Sequence, residues 1–306
     1  MDKTKSTELF ETAPIPKAVL HLAVPAIIGQ TITIIYNLAD TFFVGKLNDN
    51  NQVAAVTLCM PIFLALTALS SMIGVGGGSL LSQRLGARDH RGAGIVSGLS
   101  FWAGAVISAL FSLIVFCFRS PLLDFVGADA NTKGYCMQYL TWTVCIGGIA
   151  TTMNPVMGYL VRGEGSSAQA SIGVALGGVL NMVLDPLFIF GFDLGVEGAA
   201  IATFISQAVG GVLPVFYFLN KRSTSSIHLG RAQWNGGVIR SACINGSSEL
   251  MTNLSMSLVN ILYNYQLLRF AGENGVAAYG VIMYAAFLFV AVFVGYAVGS
   301  APIVSY

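Results

Sequence analysis

Polar and apolar positions fall in long blocks along this chain. Eight apolar stretches stand out, at 18–44, 53–82, 93–118, 136–160, 169–191, 196–219, 238–268 and 276–305, separated by short polar connections. Most exceed the roughly 20 residues a helix needs to cross a bilayer's hydrocarbon. The pattern predicts an all-α integral membrane protein with eight spanning helices. The first stretch starts after a polar lead and is far longer than the roughly 7–15 apolar residues of a signal peptide. It is therefore expected to be a span and not a cleaved leader.

Composition points the same way. Hydrophobic residues make up 55% of the 306 positions and charged residues only 9%, against about 25% charged in soluble domains. The net charge of +1 comes with no basic block, so no nucleic-acid partner is implied. Five cysteines lie in or beside apolar stretches without a CxxC pair, which favours small buried side chains over a disulfide framework or a zinc site. His21, His90 and His228 are far apart, and no metal centre is read from them. The run GVGGGS (74–79) lacks the spacing of a dinucleotide fingerprint and the Lys-Ser/Thr of a P-loop, so close helix packing is its expected role. With no ATP-binding motif, any pumping is expected to use an ion gradient.

Lys and Arg set the orientation. The N-terminal tail and the connections after the second, fourth and sixth stretches carry Lys3, Lys5, Lys17, Arg84, Arg88, Arg91, Arg162, Lys221, Arg222, Arg231 and Arg240, whereas the opposite side holds Lys46, Arg119, Lys133 and Arg269. This places the N-terminus in the cytoplasm. A shift of 223 residues lays NQVAAV (51–56) on NGVAAY (274–279), Asn37 on Asn260, Met60 on Met283, Gly76 on Gly299 and Ser82 on Ser305. Six spans per repeat in the same orientation is a parallel duplication of the kind found in transporters. The expected domains are a six-helix lobe at 1–219, an inter-lobe linker at 220–237 and two helices of a second lobe at 238–306. The expected parent has twelve helices, of which this chain holds about eight.

Three acids lie inside apolar stretches: Asp40, Asp185 and Glu249. A charged acid at the bilayer centre costs about 2.5–3.5 kcal/mol on insertion scales, so such residues are expected to face a cavity or a polar cluster. No Lys or Arg lies near either aspartate within its span, and a carboxyl so placed is a natural proton carrier. Counted from the span starts, Asp40 and Asp185 both fall in the outer half. Asn181 precedes Asp185 by four residues, on the same helix face, and Pro186 can bend that helix. Asn37, Tyr139, Asn154 and Thr203 can add amide and hydroxyl partners. Glu249 falls near mid-membrane in the other half, placed to meet a cationic substrate or a second proton. The competing expectation is that these polar groups only tie helices together, at about 0.6 kcal/mol each.

At these residues the chain resembles the multidrug and toxic compound extrusion (MATE) family, closest to its MepA-type bacterial members. The resemblance is carried in order by Pro25 with YNLADTFFVG, SQRLGARD (82–89), RGEG (162–165), NMVLDPLFIFG (181–191), GAAIAT (198–203), Glu249 and GYAVGSAPIVSY (295–306). It implies two six-helix bundles around a V-shaped cavity in the bacterial inner membrane. It also implies export of organic cations in exchange for H⁺ or Na⁺, with no other cofactor. It matches Asp40, Asn181, Asp185 and Thr203 to a cation-binding cluster with Tyr139 and Asn154 nearby, and a Na⁺ would sit at Asp40, Asp185 and Asn181. Substrate contacts are expected from Glu249, Asn37, Met60 and Met256. Small-molecule drugs or lipophilic cations and the lipid bilayer are the expected partners of a monomeric chain.

Two other functions are testable on the residues. A flippase for lipid-linked precursors needs several basic residues in its central cavity, and Arg240 at the edge of a span is a poor candidate. An intramembrane enzyme needs a nucleophile–base pair or metal ligands, and neither HExxH nor GxSxG occurs. A secondary transporter is the expectation.

Overall fold

A computed structural model describes residues 13–47, 49–219 and 234–306. Residues 220–233 of the expected linker, and with them Lys221, Arg222, His228 and Arg231, lie outside the described residues, as do Lys3 and Lys5. The described residues hold helices and no strand. In chain order they are α1 (Ile15–Gly45), α2 (Asn50–Gly86), α3 (His90–Phe125), α4 (Lys133–Leu140), α5 (Gly148–Gly163), α6 (Ser167–Pro186), α7 (Gly195–Leu219) and α8 (Gly236–Ser305). Each of the first six apolar stretches falls on these helices. By length and composition six helices among the described residues can cross a membrane, or seven if α4 and α5 count as one span bent by 48°. The 238–268 stretch is helical but carries more polar residues, and it is not among those six.

Short caps start the helices. Asp49 accepts the Asn51 amide at 2.9 Å ahead of α2, and Asp89 accepts the Gly92 amide at 2.8 Å ahead of α3. α3 runs on past residue 118 to Phe125, because Leu123 is fully buried in the core beyond the end of the apolar stretch.

α8 is helical throughout its 70 residues but cannot be straight. Tyr263 and Tyr279 stack with ring centroids 5.4 Å apart, whereas 16 residues of straight helix would separate them by about 24 Å. The segment doubles back between them, so the expected seventh and eighth stretches are the two limbs of a hairpin.

Two buried clusters lie along α2. One gathers Cys59, Leu66, Leu123, Cys136, Leu140 and Ala199, and the other Ile73, Leu81, Val96, Met157, Leu160 and Phe218. The outward faces stay apolar. Trp102, Val106, Leu110 and Leu113 of α3 are all more than half exposed, as a face meeting lipid requires. Interior contacts are made by small residues instead. A Cβ placed on Gly76 would come within 1.9 Å of the Ala242 carbonyl oxygen and 3.0 Å of the Gly246 nitrogen, so α2 touches the first limb of α8 backbone to backbone. A Cβ on Gly299 would lie 2.5 Å from Ala23 Cα, so the second limb meets α1 in the same way. The 223-residue shift that carries Gly76 onto Gly299 also carries Ala23 onto Gly246. One contact maps onto the other with the partners exchanged.

Candidate functional site

Asp40 stands near the end of α1 and Asp185 near the end of α6. The carboxyls lie within hydrogen-bonding reach of each other. Two carboxylates are both acceptors, so that bond needs a proton between them. The Asn181 amide donates to Asp185 Oδ1 at 3.1 Å. What remains is a cluster of acceptors: Asp40 Oδ1, Asp185 Oδ2 and Asn181 Oδ1 are buried with no hydrogen-bond donor. Tyr139, 4% exposed, lies close enough to feel both carboxyls electrostatically.

Behind the pair, between α1, α5, α6 and α7, lies a small cavity of about 30 Å³ lined by Tyr36, Asn154, Asn181, Thr203, Ser206 and Gln207. That is room for one or two water molecules or a bare ion. Asn154 donates to Gln207 Oε1 at 2.7 Å. Glycine makes the approach possible. A Cβ on Gly178 would fall 2.9 Å from the Tyr36 ring, and one on Gly177 would fall 2.9 Å from the Ser206 carbonyl oxygen.

Backbone irregularity brackets the site. After Tyr139 the chain takes a wide turn through Thr141–Ile146, closed by Gly147 N–H to Trp142 O at 2.9 Å. After Asp185–Pro186 it takes another through Leu187–Gly191, closed by Phe192 N–H to Leu187 O at 2.9 Å. Wide five-residue turns of this kind are rare and gather at functional sites. Pro186 stands where α6 passes into this turn, and Ser167–Gly191 still reads as one span and not as a bent pair.

The structure thus brings together Asp40, Asp185, Asn181, Tyr139, Asn154 and Thr203. Tyr36 and Gln207 were missed, although a signal was present: each stands four residues from a selected residue, Tyr36 before Asp40 and Gln207 after Thr203. Glu249 lies elsewhere, in a cavity of about 290 Å³ with Ser79, Ser82, Tyr159, Arg162 and Asn245. Asn37, Met60 and Met256 are exposed and line neither cavity. The larger cavity holds one basic residue, Arg162, where a pyrophosphate carrier would need several. Among the described residues no three His, Cys, Asp or Glu side chains come together as a metal cluster would require.

Long apolar helices around a buried acceptor cluster define a multi-pass membrane protein. The MatE family model matches residues 25–187, and the chain belongs to that family. It is 28% identical over 279 residues to the multidrug export protein MepA of Staphylococcus aureus (strain NCTC 8325), covering 91% of this chain and 61% of that protein. The MepA of Staphylococcus saprophyticus matches to the same extent. The chain therefore spans less than two thirds of the curated relatives it matches. Among solved structures, a MATE bound to MaD3S superposes with a TM-score of 0.92 at 28% identity, covering 98% of this chain and 67% of that one. An outward-facing multidrug resistance MATE transporter superposes at 0.90, with 28% identity and coverage of 99% and 67%. The all-α fold expected from the apolar pattern agrees with these structures.

Proposed function

We propose that this chain acts in multidrug export, as a secondary antiporter that moves organic cations outward in exchange for H⁺ or Na⁺. The observation that carries this reading is the donor-free set of buried oxygens on Asp40, Asp185 and Asn181. Buried acceptors without donors are costly; a small hard cation satisfies all three, and a proton satisfies the two carboxyls. A Na⁺ takes oxygen ligands from these residues; a proton sits between the two carboxyls. Tyr139, Asn154 and Thr203 complete the polar shell around them.

Filling the site removes the repulsion between two acidic groups and alters how α1 packs on α6. The wide turn after Pro186 gives that helix end room to move. Alternating access follows when ion and drug prefer different states of the helices. Glu249, with Asn37, Met60 and Met256 on the exposed faces, meets the organic cation; methionine adapts to varied shapes. In this reading the protein is no enzyme and uses no ATP. It lies in the bacterial inner membrane with its N-terminus in the cytoplasm, and residues 238–306 belong to a second lobe.

Supporting this are the MepA relatives, named multidrug export proteins. The test is transport in vesicles. Uptake of a fluorescent lipophilic cation is followed under a pH gradient and then a Na⁺ gradient, for wild type and Asp40→Asn. Gradient-driven uptake that disappears in the variant is expected. Unchanged uptake would reduce Asp40 to a packing residue and move the coupling role to Glu249. No uptake by folded wild type would overturn the antiporter.

A further inference from the structure

Cys59 of α2 and Cys136 of α4 form a second buried pair. Both are 0% exposed, and their thiols lie within hydrogen-bonding reach of each other. Cys59 Sγ–H donates to the Cys136 carbonyl oxygen at 3.6 Å, and Cys136 Sγ–H donates to the Ala55 carbonyl oxygen at 3.7 Å. Val56, Ile62, Leu140 and Val144 belong to the same apolar cluster. The coupling site does not use these sulfurs, but it adjoins them. Tyr139 stands three residues after Cys136, on the same face of α4. It lies close enough to feel Cys59 as well as Asp40 and Asp185.

One buried cysteine packs as a small hydrophobe. Two side by side on different helices are also a bidentate soft ligand, and thiolate sulfur selects soft metal ions. Ligand count and charge then narrow the ion. Zinc takes four ligands, and among the described residues no third His, Cys, Asp or Glu joins the pair. A singly charged soft ion between two thiolates leaves a net negative charge in a dry core, which is costly. A doubly charged soft ion that prefers two ligands in a line gives a neutral complex, at home among apolar side chains. Two metal–sulfur bonds of about 2.3 Å, the length zinc makes to sulfur, would hold the sulfurs about 4.6 Å apart. That is wider than two thiols in hydrogen-bonding reach, so binding pushes α4 away from α2 and moves Tyr139 relative to the carboxyls.

We propose that Cys59 and Cys136 bind a soft divalent metal ion of the mercuric type in linear two-coordination, and that its binding blocks the neighbouring coupling site. With mercuric chloride, two S–H and two Hg–Cl bonds break while two Hg–S and two H–Cl bonds form, and no electron changes hands. The binding stands on the thiols alone; the block rests on Asp40 and Asp185 being the coupling pair.

Mercuric chloride is the probe. In the full chain carrying Cys117→Ala, Cys145→Ala and Cys243→Ala, only the pair remains. Mass spectrometry of the intact chain is expected to show a gain of one mercury less two hydrogens, the mark of a bridge. A single thiol instead gains mercury and chlorine less one hydrogen. Adding Cys59→Ala or Cys136→Ala should abolish the bridge, and the pair should hold mercury against about a hundredfold more glutathione than either lone thiol does. Gel filtration checks each variant; if the triple variant does not fold, bridges are counted in wild type against Cys136→Ala. No mercury uptake, separate adducts on the two thiols, or a loss of two hydrogens without mercury overturns the site. In vesicles, mercury should stop uptake of the lipophilic cation by the triple variant and spare it once Cys136→Ala is added. A bridge with uptake undiminished overturns the block. Absence of uptake before mercury is added overturns the antiporter and leaves the mass result to decide the site.

Discussion

Asp185→Asn would place an amide beside Asp40 and take away the proton's second seat. The volume is unchanged, so the helices should pack as before. We expect gradient-driven transport to fall by about tenfold or more, while dye binding to the resting protein stays within about twofold, because a buried carboxyl marks the ion path and not the drug path. Counterflow in vesicles beside equilibrium binding separates the two. Asp40, Asp185 and Asn181 were legible in the sequence because an acid in an apolar run is conspicuous and helical spacing points to its neighbour. Arg162 was not. It stands at the flank of its span, where a basic residue normally reaches for the interface. Only the packing of α2 and α8 around α5 encloses it. The Tyr36–Gln207 wall also depends on which helices meet, and a single sequence does not state that.

At the scale of helices, contact is set by missing side chains. Gly76→Ala would drive a methyl into the Ala242 carbonyl, a backbone atom that cannot swing aside. The helices must part, at a cost of about 1–3 kcal/mol. A lower thermal midpoint in detergent, with transport reduced in proportion to the folded fraction, is the expected result. GVGGGS reads as packing in the sequence, and the structure gives it that role. The turn before α4 has its own chemistry. The carboxylate of Asp129 accepts Thr132 N–H at 2.8 Å and Thr132 Oγ1–H at 2.7 Å. These bonds hold its carboxyl below the ordinary carboxylate range. A lowered value means the turn's contribution is present above about pH 4, where the unfolded carboxyl is ionised, and lost as pH falls through the lowered value. NMR titration of the Asp129 carboxyl should show that depression, and Thr132→Val should relieve it. The wide turns at 141–146 and 187–191 had no sequence signal beyond Pro186, since insertion of one extra residue per turn leaves the apolar pattern intact.

For the whole molecule, the test is whether α2 and the second limb of α8 must separate. Ser79 and Ser305 face each other with hydroxyl oxygens 3.4 Å apart. Oxidising the double variant Ser79→Cys/Ser305→Cys should join them and stop transport, with reductant restoring turnover. Transport that continues through the cross-link would show that this contact stays closed during the cycle. The eight apolar stretches made the helix content legible; the fold-back of α8 rests on a short polar break near residue 272 that hydropathy marks only weakly.

The exchanged contact has a consequence of another kind. Gly76 meets Gly246, and Gly299 meets Ala23, which are the shifted images of one another. Residue i touching j while the image of j touches the image of i is the signature of an isologous interface, the kind formed by two identical subunits about a two-fold axis. Here a single chain carries both sides. Its interior seam has the form of a homodimer interface written into one polypeptide.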